Sequence, residues 1–379
     1  MSDPGYRAAR AAAPRVREHF ALHLESAAAF RAPGPRQHPP HLEDIEAIVD
    51  AAFWASLRRE EGYVPRISLA LAPPEHADRP LLFDRSLTLD AATLTKVAPA
   101  VERPGIHLGV WRQDGDLRVW GTTRGIPAFC FVLEVAAPGL LVVKHHRGDG
   151  GKFVNVAVLE GDRVKVIDEH ASQLPDCPAL LTSLLGFDAP GSWEGNVNML
   201  VELAVSMRAH GRGGIMLVVP AGTDGWRESV VHPIPYAVEP PFVSLADLLR
   251  RAATEHGSRE WQEETEDAIQ AVAGLTAVDG ATVLTDRCEL LAFGAKIARR
   301  KGSPRIEQAT VTEPVEGGEA AIVPSSDLGG TRHLSAAQFV QDQQNTIALV
   351  ASQDGRFTIF AWSPCEQRVH AHRVETLLM

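Results

Sequence analysis

Leu328-Gly329-Gly330-Thr331-Arg332-His333-Leu334-Ser335-Ala336 is the stretch on which the reading of the C-terminal half turns. A flexible Gly-Gly pair hands a hydroxyl, a guanidinium and an imidazole to the start of a helix expected over 335–340, an arrangement suited to gripping phosphate. Roughly fifty residues earlier stands Val278-Asp279-Gly280-Ala281. It places a carboxylate at the mouth of a strand expected over 278–284, beside a glycine that lets a ligand approach the backbone closely. Together they offer a carboxylate for a metal or a sugar hydroxyl, and Arg, hydroxyl and backbone N–H for phosphate oxygens. Each signal also has an ordinary reading. Asp-Gly-Ala suits any strand-end turn, and Arg332-His333 suits a surface charge beside a core-facing imidazole.

Working outward, helix and strand periods interleave on both sides of these motifs. Asn196 or Asn198 caps a helix whose Leu200, Leu203, Ala204 and Met207 recur at 3–4 spacing, and which stops at His210-Gly211. The run Gly214-Ile215-Met216-Leu217-Val218-Val219-Pro220 then reads as a buried strand. Helices over 245–253 and 260–273 follow, then strands over 290–294, 346–352 and 357–362. Such interleaving predicts an α/β domain with a mixed β-sheet flanked by helices over 196–379. Residues 63–170 read instead as a β-rich domain, with extended runs separated by turns such as Gln113-Asp114-Gly115-Asp116 and Glu160-Gly161-Asp162. Two helices, over 5–31 and 42–61 with Gly62 as a stop, form an expected helical N-terminal cap over 1–62. Residues 171–195, with several prolines and a short helix over 179–185, read as a linker.

The chain has 379 residues and a formal net charge of -11, which argues against a general nucleic-acid binder or an anionic-membrane binder. Four cysteines without a CxxC pair suggest neither a disulfide framework nor a zinc site, and a reducing cytoplasm is the simplest home. No signal peptide or uninterrupted apolar span is expected.

Order and context make the C-terminal half resemble the catalytic domain of bacterial diadenylate cyclases, the DAC domain. The likeness rests on Asp279-Gly280-Ala281, on the apolar strand Leu290-Leu291-Ala292-Phe293-Gly294, on Gly330-Thr331-Arg332-His333 with Ser335-Ala336, and on Ala348-Leu349-Val350-Ala351-Ser352. The resemblance implies second-messenger synthesis: condensation of two ATP to cyclic di-AMP plus pyrophosphate, assisted by Mg2+ or Mn2+. It also implies a homo-oligomer in which two such domains face each other, each holding one ATP. By the family's pattern Asp279 binds metal and polarises the 3′-hydroxyl, with Arg332 and His333 as its catalytic companions. Gly280, Ala281, Gly330, Thr331 and Ser352 then contact the nucleotide. The β-rich half is similar to the sensor-type domains that precede DAC domains, and its ligand is unknown.

Two positions depart from the pattern. Leu334 stands where the family has a second arginine, and Gln353 where it has a glutamate, with Asp354 next. Loss of a ground-state phosphate contact costs about 1.5–3 kcal/mol, whereas loss of a transition-state arginine costs about 10³–10⁵ in rate. The alternative is therefore a catalytically inactive DAC-like protein that senses or binds nucleotide. Arg299, Arg300, Lys301 and Asp354 are the residues available to restore the missing charges. Elsewhere, the basic loop over 144–152 reads as an anion site or a solvated hairpin turn. His38, His41, His370 and His372 read as surface residues without metal-ligand spacing.

Overall fold

The computed structural model describes residues 5–28, 38–146, 153–168, 195–255 and 258–379. The expected helix over 179–185, most of the linker and the loop residues 147–152 lie outside the described residues. The chain divides into two compact units, Met1–Ile167 with Met379, and Asp168–Leu378. Each is mixed α/β and is built on one large mixed sheet.

In the N-terminal unit, α1 (Arg7–Ala28) and α2 (Leu42–Ser56) precede β1 (Ile67–Leu71), β2 (Leu81–Thr88) and α3 (Ala91–Val97). Then come β3 (His107–Gln113), β4 (Asp116–Thr123), β5 (Phe131–Ala137), β6 (Leu140–His146), β7 (Phe153–Glu160) and β8 (Arg163–Val166). The sheet order is β2-β4-β3-β1-β5-β6-β7-β8. Only β1 and β3 pair in parallel, which the intervening α3 makes possible; the remaining neighbours are antiparallel. Ala9, Ala12, Ala13, Val16 and Phe20 of α1 recur at helical spacing and share one core with Ile45, Ile48 and Val49 of α2 and with Leu69, Leu108, Leu133, Leu141 and Val143 of the sheet.

Several sequence expectations need correction in this unit. α2 ends at Ser56 rather than near Glu61. Glu60 and Tyr63 bridge across a turn made by Glu61 and Gly62, both with positive φ, so Gly62 serves that turn rather than stopping the helix. β2 was not expected at all. It is an edge strand whose side chains are mostly exposed, so it carries no buried two-residue period.

The second unit runs α4 (Gly195–Ala209), β9 (Gly214–Val219), β10 (Tyr236–Phe242), α5 (Ser244–Glu255), α6 (Arg259–Leu275), β11 (Ala281–Thr285) and β12 (Leu290–Ala295). It continues with β13 (Gln308–Thr312), β14 (Ala321–Pro324), α7 (Thr331–Asp342), β15 (Ile347–Ala351), β16 (Phe357–Ser363) and β17 (Arg368–Arg373). The nine strands lie in the order β10-β12-β11-β9-β15-β16-β17-β13-β14. β9 is buried along its whole length, as its unbroken apolar run requires. Ile215, Leu217 and Val219 face a core that includes Ala336, Phe339 and Val340 of α7. Among the described residues, no helix is long and apolar enough to cross a membrane.

His370 and His372, expected at the surface, are instead buried in β17. The polar pattern Arg-Val-His-Ala-His-Arg conceals an inward-facing pair. His372 Nδ1 lies 2.7 Å from Thr312 Oγ1, and burial, with the neighbouring His370, pushes its pKa down to about 4. An imidazole depressed in the folded state leaves the unfolded chain binding more protons below its ordinary pKa of about 6.5, so this contribution to stability is complete above that pH and is lost as the pH falls toward 4. The loss attributable to His372 is up to about 3 kcal/mol. Thermal melts of wild type and His372→Gln across this window test it: the variant's melting temperature should fall less steeply with acid.

Candidate functional site

Three adjacent strands bring the sequence motifs to one end of the second sheet. β9 pairs in parallel with β11, with Ile215 opposite Ala281, and antiparallel with β15, with Gly214 opposite Ala351. The starts of β9 and β11 therefore lie beside the end of β15. Asp279-Gly280, Arg212-Gly213 and Ser352-Gln353 converge there, on strands spaced about 4.8 Å apart.

The strand carrying Asp279 begins at Ala281, not at Val278. After α6, Ala277 and Val278 bond back to Gly274 and Leu275, and Asp279-Gly280 form a bend before the strand. Gly280 has φ +109°, and a Cβ there would lie 2.4 Å from the carbonyl carbon of Gly294. Only glycine permits this approach of β11's entry to β12. Asp279 is exposed, Gly280 half-buried and Ala281 fully buried.

The helix bearing the second motif starts four residues earlier than expected. Gly329 has φ +135°, and Gly330 is the N-cap of α7 with no side-chain hydrogen bond. The Gly330 carbonyl accepts from the N–H of His333 and of Leu334, so Thr331, Arg332 and His333 form the first helical turn. Thr331 and Arg332 are exposed. Around Gly213, a Cβ would lie 3.1 Å from Arg332 Nη1 and 3.3 Å from both the Ala351 carbonyl oxygen and Gln353 Cγ. Arg332 thus reaches the end of β15, where Gln353 Nε2 donates to the Arg212 carbonyl at 3.3 Å.

His333 turns inward. It is buried, lies edge-on to Phe360 with 6.1 Å between ring centroids, and packs beneath Gly329, where a Cβ would lie 2.9 Å from its ring. Burial lowers its pKa; nearby Asp354 opposes that shift, while Arg373, Arg356 and Arg332 reinforce it. The Ser352 side chain hydrogen-bonds Asp354, whose carboxyl is held below its ordinary range chiefly by that bond. The carboxylate one residue beyond Gln353 therefore belongs to the turn that follows β15.

A cavity of about 410 Å³ adjoins α7, lined by Ile297, Arg299, Arg305, Leu334, Ser335 and Gln338. Leu334, where the resemblance calls for arginine, thus lines a pocket that carries two arginines from elsewhere. Arg299 was visible in the sequence as a replacement, but Arg305 was not. Gln338 and Asp342, buried one turn apart on α7, tie the intervening loop down. Gln338 Oε1 accepts from Ile306 N at 2.9 Å and its Nε2 donates to the Pro304 carbonyl, while Asp342 accepts from Arg300 N and Ser303 Oγ. Polar residues at i and i+4 on an otherwise apolar helix face were the available signal.

In the N-terminal unit, a cavity of about 500 Å³ lies against β2 and β4, lined in part by Phe83, Arg85, Gln113, Arg118 and Trp120. The Trp120 indole is buried, donates to the Ala72 carbonyl at 2.8 Å and covers Gly109, where a Cβ would lie 1.9 Å from the ring.

Residues 34–124 match the family model described as the probable sensor domain DACNV. The match includes α2 to β4 and hence this cavity. No curated protein matches the chain.

Gly280→Ala tests the sheet-end geometry. The added Cβ forces β11 away from β12, so amide hydrogen exchange across residues 279–295 should accelerate, with little change in β16 and β17.

Proposed function

We propose that the C-terminal unit condenses two ATP molecules to cyclic di-AMP and that the N-terminal unit is its sensor. The observation that carries this reading is the convergence of Asp279, Arg332 and Ser352 at one sheet end beside the glycine-capped start of α7. The match to a probable sensor domain over residues 34–124 supports the regulatory half.

In this reading Thr331, Arg332 and the free-facing amides of the first turn of α7 hold phosphate oxygens, as helix N-termini and guanidinium groups do. Gly330, with open space beside it, leaves room for the nucleotide against the backbone, whereas Gly280 is packed against Gly294 and Ala281 is fully buried; Ser352 lies near the triphosphate. His333 fixes the first turn from below, as a neutral buried ring. Arg299 and Arg305 supply the positive charge that Leu334 lacks. An exposed Asp279 carboxylate fits Mg2+ or Mn2+, since such ions are bound by one or two carboxylates together with substrate phosphates. The metal, when bound, neutralises charge on the triphosphate.

The reaction joins each ATP's 3′-oxygen to the other's α-phosphorus and breaks the bond to pyrophosphate. Two nucleotides must therefore face each other, which requires two copies of this unit. Positioning and charge neutralisation are the demands of such a transfer, and no covalent catalyst is called for.

A second reading, a nucleotide-binding unit without turnover, is favoured by one observation: Leu334 leaves the first turn of α7 with a single arginine. Incubation with ATP and Mn2+, with products identified by mass spectrometry, separates the two. Synthesis predicts cyclic di-AMP from wild type and a fall of about 10²–10³-fold for Arg332→Ala. Saturable ATP binding without product overturns it, and product from Leu334→Arg combined with Gln353→Glu then establishes the silent reading. Arg305→Ala should weaken ATP binding about tenfold or more if that arginine contacts phosphate.

A further inference from the structure

The N-terminal unit contains three imidazoles whose placement is unusual for a core. On α1, the buried positions Ala9, Ala12, Ala13, Val16 and Phe20 trace one stripe, and His19 and His23 continue it toward the end of the helix. On β6, Leu141, Val143 and His145 alternate onto the face that α1 and α2 cover. Histidine thus occupies positions where the period calls for apolar residues, on two elements that meet. His19 is 7% and His145 2% exposed, while His23 is half-buried.

The rings are mutually close. Centroids are 4.3 Å apart for His19 and His23, 4.8 Å for His23 and His145, and 5.9 Å for His19 and His145. One nitrogen from each ring lies within 4.8 Å of the other two. Nitrogen ligands about 2.0–2.1 Å from one tetrahedral ion stand about 3.4 Å apart, so ring rotations of roughly an ångström close the triad. Phe20 and Phe129 flank His145, with centroids at 5.9 and 5.6 Å, and form an apolar wall.

We propose that His19, His23 and His145 form a binding site for a divalent transition-metal ion, with Zn2+ as the best-suited class member and the fourth position left to water or an exogenous ligand. Three imidazoles without a carboxylate suit borderline ions such as Zn2+ and Co2+, and do not suit the hard, oxygen-seeking Mg2+ or Ca2+. Two ligands at i and i+4 on one helix with a third from a strand is also a spacing a tetrahedral ion accepts. The half-buried His23 gives the ion a route in. Both helix ligands lie before residue 34, so the site is separate from the cavity within the matched sensor region.

The test uses the full-length purified chain, stripped with chelator and titrated with Co2+, whose visible absorption reports tetrahedral nitrogen coordination. Wild type should bind one ion per chain with tetrahedral bands, and Zn2+ but not excess Mg2+ should displace it. His23→Ala and His145→Ala should each weaken binding by about 100-fold or more, beyond the 10–100-fold cost of losing an outer partner of a metal ligand. His38→Ala, at an exposed site, and Asp279→Asn should leave the spectrum unchanged. Circular dichroism and melting temperature establish that the variants are folded; His23→Ala, at a half-buried position, keeps the test valid if His145→Ala is not. The proposal is overturned if wild type takes up no stoichiometric ion, or if folded His23→Ala retains wild-type affinity and spectrum. Retention of the bands in Asp279→Asn separates this site from the one proposed in the C-terminal unit.

Discussion

The double ladder of backbone hydrogen bonds around β9 is the constraint on which the C-terminal unit depends. Parallel pairing on one side and antiparallel pairing on the other decide which chain segments share a sheet end. A slip of one residue in either ladder would reverse every side chain of the slipped strand and carry its motif out of line. β9 is buried on both faces, so such a slip would force its side chains to repack on each side of the sheet. Packing of Phe339 and Val340 against the same core then aims the start of α7 at that end. The placement of Asp279 and Arg332 is thus a product of apolar pairing some residues away.

Glycines translate this register into close approaches. Gly280 lets the entry to β11 meet Gly294, and Gly213 leaves the space that Arg332 crosses to reach Ala351 and Gln353. In the N-terminal unit Gly109 does the same for Trp120. Each close approach depends on a missing Cβ, and the first two also on a positive φ.

Much of this was legible in the sequence wherever burial imposes a period. The strands from β3 to β8, the apolar β9 and the paired helices α5 and α6 all follow from alternation or 3–4 spacing. Illegible elements were those whose sides are both wet or whose core positions are polar. β2 is exposed along an edge, β10 carries Pro240 and Pro241, and β17 hides His370 and His372 behind flanking arginines. Within the candidate site, Asp279, Arg332 and Ser352 were recognisable by order, and the fold gathers them. The inward turn of His333 matches the ordinary reading of the Arg332-His333 pair, a surface charge beside a core-facing imidazole, and the helix start four residues earlier rotates it into the core. Arg305 was invisible because its position depends on hydrogen bonds that its loop donates to Gln338 and Asp342, which bridge segments distant in the chain. The three imidazoles of α1 and β6 were likewise missed, since a polar residue on an apolar stripe reads as an interruption until the strand beneath it is known.

The prolines of β10 bear on how two copies of the C-terminal unit can meet. β10 is an outer strand of the nine-stranded sheet, and Pro240 and Pro241 remove consecutive N–H donors from it. At the opposite border β14 is four residues long and ends in Pro324. Neither border is a good template for continuing the sheet into a neighbouring molecule. Self-association of this unit is therefore steered away from an extended intermolecular sheet and toward contacts made by loops and strand ends, which leaves the number of copies to be set by surface fit rather than by open-ended backbone pairing.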